Sequence, residues 1–354
     1  MSKTPTAGHE TKRNSQPLLS SREFADWANS NPSSRIHKSL KPDIRTSSYR
    51  DLLGGNLRFV FGPMNPNDEA CLERYFLENI PDTPSIQQES RLILEHLILA
   101  GMDPDGHAVN SFQNIFWPMF QIIIREYLHL LEYSNDRQWN DSNLPLLAEG
   151  QSVLTAPRPM MTLVPRLSPS AIPVLKFALR GKCLGAADNS ESIIFPFFVA
   201  EMKRFGSGST LSYPENQVFA EISKMLHLYQ AAGIFNSQIF GLAAVGSTFA
   251  VYTGHLVLIN PAAQPLLQFE THIRCVYRED VLKKEHTLPI GRKITEKFTE
   301  DVSLSKLCTL LVSLRSLIGE AAKHNLNLIE AKILDYNVAK KAFDVRKGEK
   351  KGQQ

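Results

Sequence analysis

The stretch Ile193–Arg204, IIFPFFVAEMKR, limits what this chain can fold into more than any other segment. Ile193, Ile194, Phe195, Phe197, Phe198, Val199 and Ala200 form a nearly continuous apolar run, the pattern of a central strand covered on both faces. Successive strand side chains alternate faces, so Glu201 and Lys203 project to one side and Met202 to the other. Two opposite charges therefore share one surface where the burial ends. Taken alone, Glu-x-Lys is a weak pattern, and an ordinary ion pair explains it in most chains.

The surroundings read as a mixture of helices and strands. Residues 1–42 carry Ser, Asn, Pro and Lys with little apolar periodicity, as expected of a disordered arm. Residues 43–145 read as helical: Cys71–Leu77, Ser90–Ala100 and the apolar segment Phe112–Tyr133, with Pro118 suited to a first helical turn. Glu126 and Glu132 interrupt that last segment, and a solvated helix face accounts for both. From about Val153 the texture turns to short β-rich runs, Met160–Val164, Val174–Leu179, Ile193–Met202, Gln238–Val245 and Phe249–Ile259. A helix from about Glu215 to Ala232 separates the third from the fourth, bounded by Pro214 and Gly233. After Arg274 the chain turns polar, and Ser303–Ile318 then aligns leucines on one helical face. The organisation expected is a core over 146–285, a helical segment over 286–339 and a basic tail over 340–354. Lys340, Lys341, Arg346, Lys347, Lys350 and Lys351 in that tail suit either phosphate contact or a solubilising end.

Composition narrows the class without naming a function. A net charge of +3 excludes a chain that is basic throughout, so any surface for nucleic acid must be local. The four cysteines are scattered, with no pair at zinc-ligand spacing, and read as reduced thiols of an intracellular protein of nucleus or cytoplasm. The polar first thirty residues lack the apolar run of a signal peptide, so secretion is not expected. The apolar window Ile234–Ala262 is broken by Asn236, Gly241, Gly246 and His255, and reads as two strands, not a membrane span.

The order of parts carries a resemblance. The strand FPFFVAEMKR, the helix YPENQVFAEISKMLHLYQAA and the strand pair QIFGLAAVGSTFAVYTGHLVLI resemble the PD-(D/E)xK nuclease-like domain widespread in fungal proteins. The likeness covers about Thr155–Asp280. It implies an α/β (α+β) restriction-endonuclease-like fold, a mixed β-sheet flanked by helices, here with a helical N-terminal half and a C-terminal helix. It implies magnesium-dependent or manganese-dependent hydrolysis of DNA or RNA, or a nuclease-like module that binds nucleic acid or protein without catalysis. Glu201 and Lys203 match the family's Glu-x-Lys pair: the carboxylate would hold Mg²⁺ and the lysine would orient water or stabilise phosphate charge.

Further positions follow from the same resemblance. Gln217 lies where related nucleases carry a glutamine near the phosphate, although a polar helix start explains it equally. Tyr252 and His255 match a recurrent strand-end pattern, and a buried tyrosine and a capping histidine explain them without chemistry. The upstream Pro-x-Pro-Asp of similar proteins corresponds here to Pro157-Arg158-Pro159-Met160, and a thioether cannot replace a carboxylate for Mg²⁺. Asp188 is the sequence's substitute metal ligand, in a string, Ala187-Asp188-Asn189-Ser190, that also suits a turn.

Overall fold

The computed structural model describes residues 57–59, 84–102, 112–136, 139, 158–178, 194–203, 210–258, 269–282 and 300–351. Seven strands form one mixed sheet: β1 (Leu57–Phe59), β2 (Leu131–Asn135), β3 (Met161–Pro165), β4 (Phe198–Lys203), β5 (Ile239–Val245), β6 (Thr248–Leu258) and β7 (Phe269–Asp280). Their order is β1-β7-β6-β5-β4-β3-β2. The helices are α1 (Pro84–Met102), α2 (Trp117–Ile124), α3 (Ala171–Ala178), α4 (Ser212–Ala231) and α5 (Glu300–Lys351). The expected mixed sheet flanked by helices, with a helix at the C-terminal end, is present.

At the centre, β4 and β5 run parallel, joined through α4, as a parallel pair requires a long crossover. Every neighbour of this pair is antiparallel out to β2 on one side and β7 on the other, and β1 adds in parallel to β7. Helix α4 lies on the face that carries Val199, Glu201, Gly241 and Gly254. Two glycines set its distance. A Cβ at Gly241 would clash with Val218 Cγ1, and one at Gly254 with Ile222 Cγ2. The helix thus rests directly on the backbone of β5 and β6, and any side chain there would lift it. On the other face Phe198, Ala200, Leu242, Phe249 and Val251 are fully buried. Leucines of α5 (Leu307, Leu310, Leu311, Leu314) and residues of α1 and α2 join the sheet in one continuous core.

Several sequence expectations change. Val174–Leu179, expected as a strand, lies largely in helix α3, because a short apolar run has no period long enough to separate the two states. The helix expected over Phe112–Tyr133 is a π-helical turn at Phe112–Phe116, then α2, then a 3₁₀ turn at Arg125–Tyr127. Its last residues turn into β2, which gains the ladder of β3. The regular strand β4 begins only at Phe198, after Phe195 with its left-handed φ of 54° and Pro196, which cannot donate to a ladder. Strand β7 occupies a region read as polar. Both edge strands, β1 and β2, come from before residue 145, so the N-terminal half completes the sheet as well as covering it. Helix α5 continues through the lysine-rich segment to Lys351. Its span Asp301–Val338 is long and apolar enough to cross a membrane by length and composition, yet most of its apolar window is buried inside the protein. Cys71–Leu77 and Asp188 lie outside the described residues.

Candidate functional site

The site is built where β3, β4 and the first half of α4 meet. Strand β4 delivers Glu201, almost fully buried, and Lys203, a quarter exposed. Lys203 Nζ donates to Glu201 Oε2 at 3.3 Å and sits 4.8 Å from the centre of the Tyr213 ring, in the first turn of α4. The lysine is therefore held between a carboxylate and an aromatic face, with a quarter of its side chain exposed.

Across the strand pair, Met161 stands opposite Ala200, which places Met160 beside Glu201 one step along the antiparallel register. The Met160 backbone approaches the carboxylate closely enough to favour its charged form. The position that the sequence matched to a metal-binding aspartate is thus next to Glu201 in space, and it holds a half-buried thioether.

Helix α4 contributes two more polar groups on one stripe, Gln217 and, one turn later, Glu221. Residues four apart on a helix share a face. Gln217 is half-buried, and its Oε1 is buried without a hydrogen-bond partner. Glu221 is fully buried, and neither of its oxygens has a partner; Glu201 Oε1 has none either. Burial pushes the Glu201 carboxyl up to about 7, against the pull of the Lys203 charge. Burial, and then the charge of Glu201, push Glu221 well above the usual carboxylate range. Two carboxylates close enough to feel each other in this way cannot hydrogen-bond while both are ionised, since neither can donate.

Of the residues singled out from sequence, the structure brings Glu201, Lys203 and Met160 into this one corner and sets Gln217 on α4 one turn before Glu221. Glu221 was missed. Its signal was available: it lies between Val218 and Met225 on the apolar stripe of α4, a core position where an unpaired acid is rare. Glu126 and Glu132 do not reach the site; they pair with Arg315 at 2.9 Å and Arg166 at 3.5 Å. Tyr252 and His255 lie away from Glu201 along β6. Tyr252 donates to Glu215, whose carboxylate also accepts from Arg278, and His255 packs its ring 5.5 Å from that of His272. Arg278 reaches this cluster because β7 carries a bulge opposite Val251 and Tyr252, which returns it to the α4 side.

As a site for Mg²⁺ the corner offers hard oxygen donors, two carboxylates and an amide, beside the Met160 thioether, and those oxygens are the right chemistry for that ion. Among the described residues no group of three His, Cys, Asp or Glu side chains gathers as a ligand set, so water or substrate oxygens would have to complete the shell. No family model matches the chain, and no curated protein shows significant similarity to it.

Proposed function

We propose that the chain is a nuclease-like protein whose site, Glu201 with Lys203, serves cation-assisted hydrolysis of phosphodiesters in DNA or RNA. The observation that carries the reading is the Glu201–Lys203 pair itself. A buried carboxylate with one unpartnered oxygen lies beside a lysine whose side chain is a quarter exposed, at the end of the central parallel strand of a mixed sheet. Glu201 would hold Mg²⁺ or Mn²⁺, which when bound neutralises phosphate charge and activates water. Lys203, steadied by Tyr213, would donate to a phosphate oxygen or to the attacking water. Gln217 would accept from that water through its unpartnered Oε1.

A second reading has its own observation. With Met160 beside Glu201 in place of an acid, the same corner suits a nuclease-like module that binds nucleic acid or protein without cleaving it. Incubation of the purified chain with single-stranded and double-stranded DNA and RNA, with Mg²⁺ or Mn²⁺, separates the two. The hydrolytic reading expects cleavage that falls about 10²-fold in Lys203→Met. Cleavage indifferent to that substitution, or none with any substrate, would leave only the binding module.

A further inference from the structure

Glu221 belongs to no motif in the sequence, and it is the most costly side chain in the site. We infer that Glu201 and Glu221 together form a two-carboxylate site for a small divalent cation of the Mg²⁺ or Mn²⁺ class. Helix α4 thereby supplies the acid that Met160 cannot supply from β3.

Charge is the first argument. Among the described residues the cation whose charge acts on both carboxylates is Lys203, which bonds Glu201 Oε2, so ionising both would leave one negative charge uncompensated in a dry interior. Oxygen valence is the second. Glu201 Oε1, Glu221 Oε1 and Glu221 Oε2 are all buried without partners. A single shared proton would satisfy one contact between the two groups and leave the remaining oxygen bare, whereas a cation can draw on all of them. Donor type is the third. Gln217, one turn before Glu221 on the same stripe, turns out a further unpartnered oxygen acceptor.

The contrast with the other buried acid of α4 supports the assignment. Glu215 is as buried as Glu221, but Tyr252 and Arg278 both donate to its Oε1, and neither of its oxygens is a buried acceptor without a partner. At Glu215 the fold provides donors; at Glu221, among the described residues, it provides none.

The inference rests on the reading of Glu201 as a cation ligand, and its test does not need cleavage. Mn²⁺ is titrated into the full chain at about pH 8, above the value of about 7 to which burial pushes Glu201, and binding is read by electron paramagnetic resonance and calorimetry. One-to-one binding is expected. Glu221→Gln keeps the shape and removes a like charge, so the variant should fold; its affinity should fall roughly tenfold or more. Adding Met160→Asp to Glu221→Gln should recover affinity, because the new carboxylate lies beside Glu201 on the neighbouring strand. No Mn²⁺ uptake by the folded wild-type chain overturns the inference, as does uptake unchanged by Glu221→Gln. Binding without cleavage of any nucleic acid would uphold this site and defeat the hydrolytic reading. Cleavage that survives Glu221→Gln would do the reverse.

Discussion

Helix α4 buries two glutamates six residues apart, and they are treated in opposite ways. Glu215, in the first turn, accepts from Tyr252 on β6 and from Arg278 on β7, the latter half-exposed and able to share its charge with solvent. Glu221 faces Glu201 on β4 with no donor of its own. A buried carboxylate costs little when donors converge on it and several kcal/mol when none do. The difference teaches that burial alone does not mark a functional acid. The unsatisfied member of an otherwise similar pair does.

The comparison can be broken first through pH. The folded pKa values of Glu201 and Glu221 lie above that of a free carboxyl, so the native state holds more protons than the unfolded chain. The Glu201 contribution is fully present below about 4.5 and is lost as pH rises through about 7, and that of Glu221 is lost in the same direction. For Glu201 alone the loss is on the order of 3 kcal/mol, and Glu221 adds to it in the same direction. Urea unfolding at several pH values, wild type against the double variant Glu201→Gln/Glu221→Gln, should show this slope in the first and not in the second.

Arg278→Ala comes next. It removes the cation from Glu215 and should destabilise by about 3 kcal/mol, with Glu201 chemistry untouched. A loss near zero would mean that Glu215 is no better supported than Glu221. In the opposite sense, Glu221→Gln should stabilise the metal-free protein by about 2 kcal/mol at about pH 8 and by nothing measurable at about pH 4. Smallest is Tyr252→Phe, expected to cost about 1 kcal/mol for one hydrogen bond, since Arg278 still serves Glu215. Equal costs for Tyr252→Phe and Arg278→Ala would show that the guanidinium contributes little beyond the hydroxyl.

Much of the central fold was legible because its signals are local. The apolar run of β4, the helical period of α4 and the glycine-broken pair β5–β6 each appear within a dozen or two residues. The edges were not legible in the same way. Strand β2 follows a helical segment and is decided by pairing with β3, some thirty residues on. Strand β7 did carry a signal: Thr271, Ile273 and Cys275 alternate with His272, Arg274 and Val276, and the polar half of that alternation obscured it. Of the site, Glu201 and Lys203 follow from strand alternation. Met160 was placed through the resemblance, and the register sets it beside Glu201. Glu221 was hidden because one sequence shows that an acid sits on an apolar stripe, but not which strand lies opposite it.

The central claim, that the Glu201–Glu221 pair is kept unpaired for a cation, is tested most directly by thermal unfolding of the wild-type chain at about pH 8 with and without Mn²⁺. Binding to the native state alone should raise the melting temperature as Mn²⁺ is added. The gain should reach about 2.7 kcal/mol at a hundredfold excess over the dissociation constant, and it should be strongly reduced in Glu221→Gln. A melting temperature indifferent to Mn²⁺ in the wild type, or raised equally in both proteins, would contradict it.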